Sequence, residues 1–357
     1  MKTVKQYDAV VVGAGPAGSA AAKRLGQAGL RVLMLEQKQA IGAGVQCAEF
    51  VPAIIAHHAS LQKCHIAQPI KGINTYVNGR LESTLTAPGY VLNRACWEAA
   101  QAEAAEQAGV SLSRGSRVTG IEGKVVTIAS GNSLWAAAAD YILGCDGPRS
   151  LAGAALGNEP QALCIALQYE LALAKPMTYA AIYFEPAYYG GYAWVFPKGA
   201  TANVGLAVHS AYKDHLPALL TEFCRKLAAE ELVREKPVLT ATGGLIPAGG
   251  LVKRLGSGPI LLAGDAAGCT HPITGAGILN AVVSGHLAAR TILASIGRKD
   301  AQPLAEKYTR VISDEYGRQF AIACDRLQRR TAEWTDNKAE FLALIRRSWV
   351  AFPEYYA

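Results

Sequence analysis

Charge is scarce in this sequence of 357 residues: Asp, Glu, Lys and Arg make up 18%, against 51% hydrophobic residues. A disordered chain needs the reverse balance, so disorder is excluded and there is apolar material for a large core. There is no block of five or six like charges and no arginine tract interleaved with aromatics, so no nucleic-acid partner is expected. The eight cysteines form no CxxC pair and fit no zinc or iron–sulfur spacing, and no HxxxH pair occurs. No metal is therefore expected. A run of about 18 apolar residues is also missing, which argues against a membrane span. Met1 to Lys5 leads directly into a strand pattern without the core of a secretory signal. With scattered thiols, this predicts a reduced, cytoplasmic protein. The residual bias is mildly basic, 35 − 28 = +7, which suits a phosphate-bearing substrate or an anionic membrane surface.

The length suggests two domains at about 150 residues each. Residues 7–12 read as a buried strand, 16–28 as a helix closed by Gly29, and 30–36 as a second strand. That is a βαβ unit opening a doubly wound parallel sheet. Residues 42–66 lack periodicity and predict loop and short helix, with His57 and His58 in the loop. Asn93 is placed to cap a helix that Gly109 ends. Segments 117–129 and 133–144 predict hairpin strands. Between 162 and 209 the apolar segments 164–173, 180–185, 191–196 and 203–208 alternate with turns, as in a mostly antiparallel sheet. A short strand at 259–263, an apolar helix from about Gly275 and polar-patterned helices over 303–350 complete the chain. The fold class is thus α/β: a Rossmann-type domain with an inserted, mostly antiparallel sheet and a helical C-terminus. The boundaries drawn are 1–70, 90–155 and 255–300 for the dinucleotide-binding domain, 71–89 and 156–254 for the sheet domain, and 301–357 for the helices.

Gly13-Ala14-Gly15-Pro16-Ala17-Gly18 fits G-x-G-x-x-G between that first strand and helix. The first glycine permits the tight turn, the second the approach of a pyrophosphate, the third close helix–sheet packing. Glu36 follows Gly18 by 18 residues, at the end of the second strand, where a carboxylate accepts ribose hydroxyls and repels a 2′-phosphate. FAD or NAD is therefore favoured over NADP. Two later strands also end in glycine–aspartate turns, Cys145–Ser150 and Gly264–Gly268. Pro272-Ile273-Thr274-Gly275-Ala276-Gly277 follows the second of these. A helix starting there would aim free N–H groups and its positive end at an anion. There is no second G-x-G-x-x-G unit, so a nicotinamide or other donor must visit transiently.

Three ordered motifs over most of the chain resemble the FAD-dependent oxidoreductases of the p-hydroxybenzoate hydroxylase fold. The resemblance implies Glu36 on the adenosine ribose, Arg94 on the FAD phosphates and Val118 at adenine through its backbone. It also places Asp265 near the ribityl–pyrophosphate region and Gly275, Gly277 and Ile278 toward the isoalloxazine, with Asp146–Arg149 as the turn offered to a nicotinamide. Three segments narrow the branch: Gly191-Tyr192-Ala193-Trp194-Val195-Phe196-Pro197-Lys198, the loop Gly44-Val45-Gln46-Cys47-Ala48-Glu49, and Ala202–Leu206. Together with Asp265–Gly277, in which His271 replaces the more familiar Asn, they resemble the geranylgeranyl reductase family. That resemblance implies saturation of isolated prenyl double bonds by reduced FAD, with NAD(P)H or a ferredoxin as transient donor and an apolar or lipid substrate. It places Cys47 and Ala48 beside the flavin.

Within this reading Cys47 either protonates the alkene carbon or is a small spacer in the cofactor loop. Tyr192 and Trp194 either wall the substrate site or form an ordinary core stripe. A flavin-dependent halogenase or monooxygenase is the alternative, since 191–197 also approaches a Gly-Trp-x-Trp-x-Ile-Pro segment. Such an enzyme needs a lysine near its oxidant tunnel, and Lys71, on an exposed strand, is the nearest candidate. A non-catalytic flavin-carrying or lipid-binding module is a third class. The apolar and basic stretch Phe341–Phe352 is compatible with peripheral membrane contact or with packing on the core. The oligomeric state is not legible.

Overall fold

The computed structural model describes residues 4–297 and 302–357. The extreme amino terminus and the domain boundary drawn at residue 300 lie outside the described residues. In chain order, β1 (Lys5–Val12), α1 (Pro16–Gln27) and β2 (Val32–Leu35) precede β3 (Phe50–Pro52), β4 (Ile66–Val77), β5 (Arg80–Leu92) and α2 (Arg94–Gln107). Then come β6 (Ser111–Ser113), β7 (Ser116–Glu122), β8 (Val125–Ser130), β9 (Ser133–Gly144) and α3 (Leu151–Ala155). The inserted region holds β10 (Leu163–Ala172), β11 (Tyr179–Phe184), β12 (Tyr192–Lys198), β13 (Thr201–His209), α4 (Leu216–Ala229) and β14 (Thr240–Pro247). β15 (Gly256–Ser257), β16 (Ile260–Leu262), α5 (Ile278–Ser295), α6 (Leu304–Ile312), α7 (Arg318–Ala332) and α8 (Lys338–Ser348) follow.

The first sheet runs β15-β16-β9-β1-β2-β6, with β7 and β8 attached beside β9. Its centre is parallel: Ala9–Val12 of β1 pair with Val32–Leu35 and with Tyr141–Gly144. Central parallel strands are covered on both faces, which is why Ala9 to Val12 are all buried and read as an unbroken apolar run. α1 and α5 cover one face, and they approach backbone to backbone. A Cβ on Gly285 would stand 2.2 Å from the Ala17 carbonyl oxygen, so glycine is required at that contact.

The second sheet runs β14-β10-β13-β12-β11-β4-β5-β3, antiparallel except where β11 pairs β4. One face packs on α4. The other meets the C-terminal helices through Phe341, Ile345, Trp349 and Phe352, and the Trp349 Nε1 donates to Thr75 Oγ1 at 3.1 Å. Phe341, Leu344, Ile345, Trp349 and Phe352 of the 341–352 stretch are thereby buried in the core, while Leu342, Val350 and Ala351 are partly exposed.

Several expectations are corrected. The 117–129 segment is two strands, β7 and β8, because Gly123 at φ +57 closes a turn inside it. The second sheet takes in 50–52 and 66–92, more than the 71–89 expected. The β4–β5 hairpin has register shifts that break its alternation, and β3 is too short to show one. β14 gave no strand signal, since Gly243 and Gly244 interrupt it. Asn93 does not cap α2 with its side chain. Its amide donates instead to the Cys64 carbonyl, and Glu49 accepts the Arg94 N–H. Finally, α5 is long and apolar enough by composition to cross a bilayer, yet most of it is buried against α1 and the sheet.

Candidate active site

A cavity of about 330 Å³ lies where the two sheets meet. Its floor is the end of β1 and the start of α1 (Gly15, Pro16, Ala17), with Ala263–Asp265 and Thr274–Ile278 alongside. Its roof is the second sheet: Ala166 and Gln168 of β10, Tyr192, Trp194 and Phe196 of β12, and Thr242–Pro247 of β14. The loop Gln46–Phe50 and Arg94 form the side. Of the residues singled out from sequence, Gly15, Ala17, Cys47, Ala48, Arg94, Tyr192, Trp194, Asp265, Gly275, Gly277 and Ile278 are brought together here. Gly13, Gly18, Glu36 and Val118 are not on its wall.

The glycines explain the floor. A Cβ on Gly13, which has φ +99, would sit 2.3 Å from the Cys145 carbonyl oxygen, and one on Gly18 would sit 1.9 Å from the Gly13 oxygen. Gly15 faces open space, so its backbone is free for a ligand. It starts α1 without a side-chain cap and with no acid in the first turn, and Gly277 starts α5 in the same way. Two uncapped helix N-termini therefore meet one cavity, which favours anionic groups there. Glu36 reaches the same turn: its Oε2 accepts the Ala14 N–H at 3.1 Å. These backbone donors, an acid for hydroxyls and room above Gly15 fit a dinucleotide. Val118 is buried within β7. Asp146 is used locally: its carboxylate accepts from Ser150 Oγ and from the Leu151 and Ala152 N–H groups at the start of α3.

Around the second glycine loop, Asp265 accepts from Thr270 Oγ1 at 2.7 Å, and a Cβ on Gly277 would crowd both residues. His271 turns its Nδ1 to the Ile273 and Thr274 N–H groups at 3.3 and 3.4 Å. Burial pushes the imidazole down to about 4, so it stays neutral and keeps accepting these bonds.

The roof aromatics have their polar atoms engaged. Tyr192 donates its hydroxyl to the Thr274 carbonyl at 2.6 Å, tying β12 to the glycine loop, and burial raises the phenol above its ordinary range. Trp194 donates to Gln168 Oε1 at 2.9 Å, and Gln168 in turn donates to the Cys47 carbonyl at 3.0 Å. Behind them lie Trp349, 5.3 Å from the Tyr192 ring, and Phe184. The stripe is therefore both core and wall, with the Tyr192 and Trp194 donors already engaged.

Sequence reasoning missed the residue that organises the side wall. Glu49 is 5% exposed and sits at φ +68, a conformation costly for a side-chain-bearing residue. Its Oε1 accepts the Arg94 N–H at 3.2 Å, and its Oε2 accepts from Lys198 Nζ at 2.6 Å and Asn203 Nδ2 at 2.8 Å. Its own N–H donates to Cys47 Sγ at 3.1 Å. One carboxylate thus fastens the cysteine loop to α2 and to β12 and β13. Arg94 pairs with Glu98 at 2.6 Å. Burial alone would lower its guanidinium, but Cys47 and Glu98 beside it hold it above the ordinary value. The cavity thereby sets a thiol next to a fixed cation. Among the described residues no lysine lines it, and Lys71 is exposed on β4. Among the described residues no three His, Cys, Asp or Glu are grouped to hold a metal.

Residues 163–246 match the geranylgeranyl reductase catalytic domain model, and residues 1–127, with the glycine turn and Glu36, match the Thi4 family model. The chain is 33% identical to a digeranylgeranylglycerophospholipid reductase of Methanopyrus kandleri, over 89% of this chain and 85% of that protein. It is 32% identical to the digeranylgeranylglycerophospholipid reductase of Methanosarcina mazei, over 89% and 83%. Among solved structures it is similar to a geranylgeranyl bacteriochlorophyll reductase-like protein from Thermoplasma acidophilum, with 25% identity, TM-score 0.82 and 97% of each chain covered. The myxobacterial chondrochloren halogenase shares the fold, at 20% identity and TM-score 0.72 over 90% of this chain and 83% of that one.

Proposed function

The chain belongs to the geranylgeranyl reductase family of FAD-dependent oxidoreductases, and from that premise we propose that it saturates isolated double bonds of a prenyl lipid. The observation that carries this reading is the single cavity shared by the cofactor turns, the aromatic face Tyr192–Trp194–Phe196 and Cys47. Bound and reduced, FAD supplies a hydride equivalent to one alkene carbon, leaving a proton to be provided to the other.

The chain's own residues do the rest. Gly15, Ala17 and Gly18 start the helix that would receive the pyrophosphate, while Glu36 would take the ribose and Arg94 the phosphates. Val118 would border the adenine through its backbone. Asp265 would stand by the ribityl–pyrophosphate region, and Gly275, Gly277 and Ile278 would frame the isoalloxazine. Tyr192 and Trp194 align a flexible apolar chain and exclude water. Cys47 is the proton donor, its Sγ transferring the proton to the alkyl carbon. Arg94 then faces the thiolate left behind, and the thiol is restored from solvent after product leaves. The electron donor, NAD(P)H or a ferredoxin, is a transient visitor, because the chain carries one dinucleotide-binding unit. A halogenase reading lacks its lysine at this cavity.

The deciding experiment is anaerobic: FAD-loaded protein is bleached with dithionite and mixed with geranylgeranyl diphosphate or a digeranylgeranyl glycerophospholipid. Return of the yellow colour, with product heavier by two hydrogens per bond, supports the reading. Return only on admitting oxygen points to a monooxygenase or halogenase.

A further inference from the structure

A second cavity, of about 270 Å³, opens between α1, α2, α5 and the loop 56–60, and it shares no lining residue with the active-site cavity. Pro16, Arg94 and Ile278 start the three helices at the first cavity. Lys23, Gln101 and His286 line the second about two turns, roughly 11 Å, further along the same helices. His57, His58 and Ser60 complete its polar wall, and no Asp or Glu lines it.

The backbone around this pocket is fastened. His286 Nε2 donates to the His58 carbonyl at 2.8 Å, and Trp97 Nε1 and Gln101 Nε2 both donate to the Ser60 carbonyl at 3.1 Å. The side chains that face the space are not. The Lys23 ammonium, the Ser60 hydroxyl and the rings of His57 and His58 have no hydrogen-bond or ion-pair partner among the described residues. Burial lowers the His286 imidazole below its ordinary value, and Arg24, His58 and Lys23 lower it further, so the ionisable groups acting on it are all basic.

A depression walled by groups of one sign concentrates ions of the other. Each of the four free groups can donate to such an ion. Three histidines might suggest a metal, yet among the described residues no three His, Cys, Asp or Glu are grouped to hold one. We propose that this pocket is an anion site for a phosphoryl group, held by Lys23, His57, His58 and Ser60 and separate from the cofactor cavity. A phosphoryl group suits donors arriving from a helix on one side and a loop on the other, because its oxygens spread over a tetrahedron, whereas a carboxylate has two in one plane. The group comes either from free phosphate or from the head of a phospholipid. The site stands whether or not the protein reduces prenyl lipids.

The test uses FAD-loaded protein, so that the cofactor occupies the first cavity. Inorganic phosphate and acetate are titrated by calorimetry at low salt into wild type, Lys23→Met, His57→Ala and, as a control for general basic charge, Lys253→Met, an exposed lysine outside the pocket. Wild type should bind one phosphate with a Kd of about 1 mM or tighter. Lys23→Met should weaken it about tenfold or more and His57→Ala about threefold, with FAD content and melting point unchanged. Lys253→Met should bind as wild type does. No binding by wild type up to about 10 mM phosphate overturns the proposal. So does equal binding in Lys23→Met, or an equal loss in Lys253→Met, which marks diffuse attraction to a basic surface. Acetate held as tightly as phosphate overturns the phosphoryl assignment. Phosphatidylcholine vesicles with and without phosphatidic acid separate the two sources. Retention of wild type, but not Lys23→Met, only on the acidic vesicles supports a lipid head, and phosphate binding without retention supports the free anion.

Discussion

Replacing Glu49 with alanine tests the loop geometry most severely. The substitution strands three donors: the Lys198 ammonium, the Asn203 amide and the Arg94 backbone N–H. Breaking a buried ion pair costs about 3–5 kcal/mol when the surviving charge stays buried. The Lys198 side chain keeps 20% of its surface exposed, so the lower end, about 3 kcal/mol, applies, and the lost Asn203 bond adds up to about 1 kcal/mol, its amide keeping the Ala48 carbonyl at 3.3 Å. Glu49→Ala should therefore lower the unfolding free energy of the FAD-loaded protein by about 3–4 kcal/mol in urea. Glu49→Gly loses the same bonds but relieves φ +68, and should be about 1 kcal/mol less damaging than alanine. Both variants should also change the alkylation rate of Cys47 by iodoacetamide, since the loop that holds the residue 49 backbone N–H against Sγ loses its carboxylate anchor. A cost below about 1 kcal/mol for Glu49→Ala, or glycine worse than alanine, would refute the clamp.

Cys47→Ala should retain FAD and accept electrons from dithionite, yet reoxidise with alkene at least about a hundredfold more slowly, the lower end of the range for loss of a positioned acid. Undiminished turnover leaves Cys47 as a spacer. Glu36→Ala should weaken FAD binding by about tenfold through lost charged hydrogen bonds, read as FAD released on dilution and gel filtration. Below pH about 6.5 an unfolded His271 takes up a proton that the folded one resists down to about 4. Stability should accordingly fall with pH across that window by about 2–3 kcal/mol, and urea midpoints for His271→Asn should lose that share of the decline. An identical pH profile for the variant would remove His271 from the account.

Local order made the cofactor half legible. The unbroken run Ala9–Val12, the glycine turn and Glu36 are all set by a single βαβ unit, and Gly13 and Gly18 reappear as close backbone approaches while Gly15 faces open space. The aromatic row was visible because alternation survives in β12. The rest depends on contacts between distant segments. Glu49 caps α2 from 45 residues upstream, so the sequence offered Asn93, the local candidate, instead. β14 contributes Thr242–Pro247 to the cavity roof although its glycines hide the strand. Lys23, His57 and His286 read as three unrelated bases until α1, α5 and the loop 56–60 close one pocket. A signal for Glu49 was present: an acid inside an otherwise small, uncharged cofactor loop, matched by Lys198 at the end of the aromatic strand.

The central claim is that electrons leave this protein into an isolated alkene. The most direct measurement is the flavin absorbance of reduced wild-type protein, held free of oxygen, after addition of a digeranylgeranyl glycerophospholipid in vesicles. The account predicts recovery of the oxidised spectrum in step with product carrying two added hydrogens per reduced bond. A flavin that stays bleached until air enters, with the lipid unchanged, would contradict it.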